Sequence, residues 1–159
     1  MRSRQPCNRH AERRATHVVE PGAVEEGDRG GVAAVLAADT TVAVGRRILE
    51  KPTDAEQARA FLALLSGRRH RVYTGQAIVR PGHAPSSEVS MTRVAIKRLS
   101  VEEIDWYIAS EEWQGKAGGY AIQGAFARFI PWINGSYTNV MGLDLAVTHA
   151  QLTGAGFRL

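Results

Sequence analysis

The order of hydrophobic and polar positions predicts several strands within the first hundred residues. Residues 32–38 form a short apolar run typical of a buried strand, which we expect to end at Asp39 and Thr40. A strand-like pattern resumes over residues 41–44, before Gly45. Residues 71–79 and 88–97 also have strand character, and turn-forming residues separate them. These last two segments are expected to form a hairpin-like pair with a long loop.

Two segments carry the signals of a helix start. Thr53 is followed three positions later by Glu56, a spacing typical of the capping box, and Ser100 stands in the same relation to the acid at position 103. Gly67 suits the end of the first helix because glycine readily adopts the left-handed conformation found there. The apolar residues expected on the buried faces of these helices are Ala58, Phe61, Leu62, Leu65, Ile104, Tyr107 and Ile108.

The last third of the chain mixes both kinds of element. Residues 126–133 predict a strand, and Pro131 within them favours a sheet edge or a bulge. Residues 134–142 predict a polar loop, and residues 143–152 a terminal helix that Gly154 follows. Because strands and helices do not alternate regularly, we expect an α/β fold with a mixed sheet and flanking helices rather than a purely parallel sheet.

Residues 1–30 differ from the rest of the chain. They contain six arginines and no Leu, Ile, Phe, Tyr or Trp, so they offer no apolar face to a core. We therefore expect a poorly ordered basic segment over residues 1–30 and one folded domain over residues 31–159, a length that suits a single domain.

Composition and charge narrow the class of protein. Of the 159 residues, 44% are hydrophobic and 23% are charged, which are ordinary globular values. The net charge of +4 is carried by residues 1–17, and the remainder holds equal numbers of basic and acidic residues. We therefore expect neither a nucleic-acid nor a membrane partner. Cys7 is the only cysteine, which excludes an internal disulfide and favours a reducing compartment, the cytoplasm.

Asp39 and Thr40 are the first candidates for chemistry. A carboxylate at a strand end can line a cleft, because the sheet holds it rigidly beside an open loop. The alternative is that Asp39 only ends the strand in an Asx turn, and spacing alone favours that alternative.

Two lysines in loops are the second candidates. Lys51 precedes a proline and Lys116 stands in a glycine-rich stretch, and ammonium groups beside accessible backbone N–H groups suit a polyphosphate. The alternative for each is an ordinary solvated side chain. The sequence contains neither a Walker A motif nor a G-x-G-x-x-G fingerprint after a strand, so it lacks the marks of P-loop and dinucleotide folds.

Residues 116–124 form a third candidate. Tyr120 could stack on a ring, and the amide of Gln123 offers both a donor and an acceptor, which match the edge of a pyrimidine. The alternative is a glycine-rich connector with a satisfied, buried glutamine. A metal centre has little support, since the five histidines show no H-E-x-x-H pattern and Cys7 with His10 is too sparse for zinc.

Five short segments, taken together and in this order, resemble the Maf family of nucleoside triphosphate pyrophosphatases over about residues 31–157. They are Ala38-Asp39-Thr40-Thr41-Val42, Glu50-Lys51-Pro52, Leu65-Ser66-Gly67-Arg68, Lys116-Ala117-Gly118-Gly119-Tyr120-Ala121-Ile122-Gln123-Gly124 and Gly135-Ser136-Tyr137-Thr138-Asn139-Val140-Met141-Gly142-Leu143. The Tyr-Ala-Ile-Gln-Gly and Ser-Tyr-Thr-Asn-Val elements resemble the branch that acts on dTTP and UTP.

The resemblance implies an elongated α/β fold with a cleft, a homodimer, and hydrolysis of a pyrimidine nucleoside triphosphate, modified ones included, to the monophosphate and pyrophosphate with Mg²⁺ or Mn²⁺. By the same resemblance Asp39 is the catalytic carboxylate that accepts a proton from the attacking water. Thr40 and Gln123 would tune base selectivity, and Lys51 and Lys116 would lie near the phosphates.

The chain departs from the family pattern in three places. Nothing in residues 1–30 matches the Ser-x-Ser-Pro-Arg-Arg loop that grips phosphate in the family, Glu50 stands in place of a glycine, and Asp144 stands in place of a proline. We therefore expect a domain that is incomplete at its N-terminus, through a replaced start, a wrong gene start or a frameshift. These departures keep open an alternative, a weak or inactive family member that binds nucleotides in a regulatory role.

Overall fold

The computed structural model describes residues 34–158 of the chain. The predicted poorly ordered segment over residues 1–30 lies outside the described residues, as does the start of the strand expected over residues 32–38. Among the described helices, none is long and apolar enough to cross a lipid bilayer.

The described strands form one antiparallel sheet in the spatial order β2-β1-β3-β4-β5. They are β1 (Val35–Val44), β2 (Arg47–Leu49), β3 (Arg69–Val79), β4 (Ser86–Ala95) and β5 (Trp132–Asn134). β3 and β4 are the predicted hairpin-like pair, with residues 80–85 between them. The predicted α/β fold class with flanking helices is confirmed. The parallel pairing that a mixed sheet also contains does not occur among the described strands.

Helices cover the sheet and connect its strands. They are α1 (Ala55–Leu65), α2 (Val101–Ala109), α3 (Tyr137–Met141) and α4 (Leu145–Gly154), with two short 3₁₀ helices at Ala117–Gly119 and Ala125–Phe129. α1 and α2 contact each other, whereas α3 and α4 contact β3 and β4.

The predicted strand end at Asp39 is wrong, because β1 continues through it. Asp39 pairs with Gly75, Thr40 pairs with Thr74, and the pairing runs on to Ala43. A strand continues for as long as its backbone has partners, and β3 supplies them along β1. Polar side chains do not stop it, since the Thr40 hydroxyl is satisfied by Thr74 within the sheet.

α1 begins one residue later than the capping box at Thr53 and Glu56 predicts. Asp54 is the N-cap, and its carboxylate accepts a hydrogen bond from the Gln57 N–H at 2.7 Å. The Gln57 side-chain oxygen in turn accepts from the Thr53 N–H at 2.8 Å. The Gln57 side chain thus bonds to the residue before the N-cap, so the reciprocal capping box is not formed at this helix. Asp54 is the N-cap in place of Thr53, since aspartate caps a helix at least as well as threonine.

α2 begins as predicted, with both halves of the capping box present. Ser100 Oγ accepts from the Glu103 N–H at 3.2 Å, and the Glu103 carboxylate accepts from the Ser100 N–H at 2.9 Å. The same carboxylate accepts from Lys97 Nζ at 2.6 Å. The predicted inner face of α2 is confirmed, since Ile104, Tyr107 and Ile108 are buried.

The strand predicted over residues 126–133 is wrong. The 3₁₀ helix occupies the first part, and its three-residue turn places Phe126 and Phe129 on one side, where both are buried. Within this range β5 is the strand, and among the described strands it pairs with β4 alone. Its place at a sheet edge after Pro131 agrees with the expectation drawn from that proline.

The C-terminal part also differs in its boundaries. The predicted polar loop over residues 134–142 contains α3, and α4 starts at the N-cap Asp144, whose carboxylate accepts from the Ala146 N–H at 3.2 Å. Gly154 is the last residue of α4 instead of following it. Gly156 takes the positive φ, 89°, that a helix-ending glycine supplies.

The main core lies against one face of the sheet. Val42, Val72 and Val94 come from three neighbouring strands and are at most 2% exposed. They pack in one cluster with Leu62 of α1 and Tyr107 of α2, both fully buried. Each such side chain contributes about 1.5–3 kcal/mol to folding by leaving water, so this cluster fixes both helices on the sheet.

Leu62→Ala is expected to lower the free energy of unfolding by about 2–5 kcal/mol, because the smaller side chain leaves a cavity in this cluster. Urea denaturation followed by circular dichroism measures the change. Val101→Ala is the matched control, since Val101 is 68% exposed, and it should stay within about 0.5 kcal/mol of the parent. Equal losses in the two variants would contradict this placement of the core.

Candidate functional site

One cavity brings together all five site residues predicted from the sequence. It has a volume of about 250 Å³, and Asp39, Thr40, Lys51, Lys116 and Gln123 all line it. The two residues from β1 are adjacent in sequence, whereas the others come from the loop before α1 and from the glycine-rich segment. Tertiary packing, rather than proximity in sequence, therefore assembles the site.

The Thr40 hydroxyl has a defined polarity. The Thr74 hydroxyl donates its one hydrogen to the backbone oxygen of Asn139 at 2.9 Å. Thr40 Oγ lies 2.9 Å from Thr74 Oγ, so Thr40 must be the donor in that bond. What Thr40 can still offer to a ligand in the cavity is its lone pairs, which makes it an acceptor.

A backbone hydrogen bond holds the two lysine loops together. The Gly118 N–H donates to the Glu50 carbonyl at 3.0 Å, which places Lys51 and Lys116 along the same cavity. Gly118 has a φ of 75°, and a Cβ there would lie 3.0 Å from a methyl carbon of Val42. The glycine is therefore needed for both its conformation and the close approach to β1.

Tyr120 is a buried wall of the cavity. It is 5% exposed, and its hydroxyl lies 2.7 Å from His70 Nε2. Burial raises the pKa of Tyr120 well above its usual range and lowers the pKa of His70 to about 4. The pair is therefore neutral at pH 7 and orients the ring without adding charge.

The residue after Tyr120, Ala121, donates its N–H to Tyr107 Oη at 3.0 Å, which fixes the glycine-rich segment to α2.

Gln123 is exposed beside the cavity, so the alternative of a satisfied, buried glutamine is wrong. The loop that follows it is held by Glu112, whose carboxylate accepts from the Ala125 N–H at 2.7 Å. A Cβ on Gly124 would overlap that carboxylate. The glycine after Gln123 thus lets an acidic side chain lock the loop from which the amide projects.

The end of α3 forms a wall that sequence reasoning missed. Met141 and Gly142 line the cavity, and a Cβ on Gly142 would lie 3.5 Å from Thr40 Oγ. Asn139 anchors this wall, because it is fully buried and its amide donates to Thr92 Oγ at 2.8 Å. The sequence marked segment 134–142 as polar. Because it was predicted to be a loop, nothing indicated where it lies relative to β1.

The described residues contain no group of three or more His, Cys, Asp and Glu side chains that could hold a metal ion. Among the residues that line the cavity, Asp39 supplies the carboxylate. One carboxylate is the protein contribution that Mg²⁺ commonly uses when substrate phosphates and water complete its shell. The donor set fits a metal that arrives with a phosphorylated substrate.

The profile of a family described as Maf-like protein matches residues 2–155. The chain belongs to the Maf family. The match begins at residue 2, earlier than the motifs that carry the resemblance in the sequence.

Three relatives, each named dTTP/UTP pyrophosphatase, illustrate the similarity. The Roseobacter denitrificans protein is 58% identical over 124 residues, which are 78% of this chain and 65% of the relative. The Cereibacter sphaeroides protein is 55% identical over 125 residues, 79% of this chain and 65% of the relative. A Rhodopseudomonas palustris protein is 48% identical over 151 residues, 95% of this chain and 72% of the relative. The chain thus spans just under two thirds of the first two relatives.

The buried His70 predicts an acid-sensitive fold. Its pKa is about 4 in the folded chain against an ordinary 6.5, so between these values the unfolded chain binds a proton that the folded chain does not. The free energy of unfolding should therefore fall as the pH drops from 6.5 to 4, with His70 contributing up to about 1.4 kcal/mol per pH unit. Urea titrations across this range measure the slope.

His70→Gln keeps a hydrogen-bonding side chain but does not titrate, so it should flatten the slope. His83→Gln is the control, because His83 is exposed and its ring bonds to the nearby Pro81 carbonyl, and it should keep the parental slope. A His70→Gln variant with the parental slope would show that another group is responsible.

Proposed function

We propose that this chain hydrolyses UTP, dTTP or a modified pyrimidine nucleoside triphosphate to the monophosphate and pyrophosphate. The observation that carries the proposal is the single cavity that combines a carboxylate, two ammonium groups and an exposed amide: Asp39, Lys51, Lys116 and Gln123. The printed name of the relatives, dTTP/UTP pyrophosphatase, supports the same reaction class.

Asp39 acts as the general base in this proposal. It accepts a proton from water as the water oxygen forms a bond to the α-phosphorus. The bond from that phosphorus to the oxygen bridging the α- and β-phosphates breaks, and pyrophosphate leaves. Lys51 and Lys116 stabilise the charge on the phosphate oxygens, since fixed cations aimed at developing charge lower the barrier.

Mg²⁺ or Mn²⁺, held by Asp39 together with the substrate phosphates, would neutralise phosphate charge when bound. Proton transfer and the remaining charge stabilisation are carried out by side chains of the protein. Asp39 is part of β1 and is paired with Gly75 of β3, so the sheet restricts its backbone. A carboxylate whose backbone is fixed in this way needs little rearrangement to accept a proton from the attacking water, which lowers the barrier to reaction.

Base selectivity in this proposal rests on Thr40 and Gln123. N3 of uracil and thymine carries a hydrogen, whereas N3 of cytosine accepts one. The Thr40 hydroxyl donates its hydrogen to Thr74, so Thr40 can accept a hydrogen bond from N3–H but cannot donate one to cytosine N3. A polar group left unpaired in a site discriminates strongly between substrates. The amide of Gln123 can complete the pattern with a donor to a carbonyl oxygen.

The proposal places the enzyme in the cytoplasm as a homodimer, and no nucleic acid or membrane takes part in the reaction. Its competitor is a family member that binds nucleotides with little turnover, which the acidic Glu50 beside Lys51 would favour. Glu50 is exposed, and its backbone carbonyl accepts a hydrogen bond from the Gly118 N–H. The loop that carries Glu50 is therefore part of the wall of the candidate site. Turnover measurements on the chain itself separate the two.

Asp39→Asn is expected to lower the rate of pyrophosphate release from UTP or dTTP by about 10²–10⁴-fold, because the amide cannot accept the proton. The assay contains Mg²⁺ or Mn²⁺ and also follows the monophosphate. Asp105→Asn is the matched control, since Asp105 is an exposed partner of Arg59 on the helices away from the cavity lining. Nucleotide binding without turnover in the parent chain would favour the competitor, and an Asp39→Asn variant as fast as its parent would exclude this base.

Thr40→Val is expected to reduce the preference for UTP over CTP by about tenfold, because it removes the acceptor while keeping the shape. The ratio of kcat/KM values for the two substrates measures the effect. Thr41→Val is the control, since Thr41 is the next residue of β1, is 3% exposed and does not line the cavity. An unchanged ratio in Thr40→Val, with measurable activity, would show that Thr40 does not contact the base.

A further inference from the structure

A second cavity, of about 350 Å³, lies against the sheet near the turn between β1 and β2. Arg69, Arg71, Arg93 and Trp132 line it together with Gly45 of that turn. None of its lining residues lines the candidate site at Asp39, so the two cavities are separate. We call the second cavity the arginine pocket.

The strand register places two of these arginines side by side. Arg71 of β3 lies directly opposite Arg93 of β4, so both guanidinium groups project from the same face of the sheet. Like charges in directly opposed positions destabilise a sheet. The pairing is therefore unfavourable unless a negative charge lies between them.

The described residues do not supply that negative charge. The lining of the arginine pocket contains no acidic residue. The ion pairs between described residues join Arg59 to Asp105 and Lys97 to Glu103, and both lie elsewhere. Within residues 34–158, then, the pocket keeps an uncompensated positive charge that suits a phosphate, which arginine recognises with paired N–H donors.

Trp132 adds an aromatic surface to the arginine pocket. Trp132 is 39% exposed, and the Arg69 guanidinium lies 4.9 Å from the centre of its ring. The cation–π contact holds the ring in place while leaving part of it open. A partly exposed tryptophan beside arginines is the combination on which nucleic-acid bases stack, since every base has a flat π-surface.

We propose that the arginine pocket is a second nucleotide site, which binds the phosphate of a nucleoside monophosphate between Arg71 and Arg93 and its base on Trp132. The cavity volume is at the lower end of the range for small-molecule sites, which suits one nucleotide. Residues 18–159 hold equal numbers of basic and acidic residues, so this part of the chain has no net positive charge to attract a polynucleotide.

Equilibrium dialysis of the full chain with UMP at low salt tests the proposal. The parent should bind UMP at two classes of site. Arg93→Gln should weaken one class at least about tenfold, because it removes a charge-assisted contact to phosphate. Its rate of UTP hydrolysis at saturating substrate should equal that of the parent, since Arg93 lies outside the candidate active site.

Two variants make the result specific. Arg128→Gln is the matched control, because Arg128 also lies over a tryptophan, Trp106, at 4.3 Å but has no part in the arginine pocket. It should bind UMP like the parent. Lys51→Ala should weaken only the other class of site, so failure of the proposed pyrophosphatase function leaves the Arg93 result interpretable.

Four outcomes would overturn the proposal, the last of them in a Trp132 variant. The first is an Arg93→Gln variant that binds UMP as the parent does. The second is an equal loss in Arg128→Gln, which would reveal a general charge effect. The third is tight binding of oligouridylate that depends on Arg93 without binding of UMP, which would indicate a polynucleotide groove. Trp132→Ala completes the series, since it should weaken UMP more than inorganic phosphate, and equal effects on both would exclude stacking of the base.

Discussion

A buried chain of hydroxyl groups is the constraint on which the site depends. Thr40 donates to Thr74, and Thr74 donates to the backbone of Asn139, so β1, β3 and α3 are joined through polar atoms inside the fold. Burying such groups is tolerable only when each finds a partner, because an unpaired one costs about 1–3 kcal/mol. The same chain settles the polarity of Thr40, and therefore what it can recognise in the cavity.

One sheet face serves two purposes because its side chains change character along the strands. Val72 of β3 packs in the apolar core under α1 and α2, whereas Gln76, four residues further, bonds to the start of α4. Its side-chain oxygen accepts from the Asp144 N–H at 2.7 Å, and its amide donates to Thr148 at 2.8 Å. The candidate site lies at the boundary, where Thr40 and Val42 both line the cavity. A rigid apolar support on one side and a hydrogen-bonded wall on the other hold its shape.

The two cavities illustrate how differently arginine, lysine and aromatic residues can be used on the same sheet. At the site beside β1 the cations project from loops, which glycine and backbone hydrogen bonds bring together, as in the contact of Gly118 with Glu50. In the arginine pocket the cations stand on strands, and the register alone sets Arg71 against Arg93. Loop cations can adjust to a ligand, whereas strand cations present a fixed spacing that suits recognition.

The sequence by itself determined the parts that rest on neighbouring residues. The capping box at Ser100, the hairpin of β3 and β4 and the selection of five residues that line one cavity all follow from local pattern or from ordered motifs. Only the tertiary structure decided that β1 continues through Asp39, that Gly142 approaches Thr40, and that Arg71 opposes Arg93. Each of these depends on register or packing between segments far apart in the chain. A local pattern specifies which groups need partners, but distant strands decide which partners they receive.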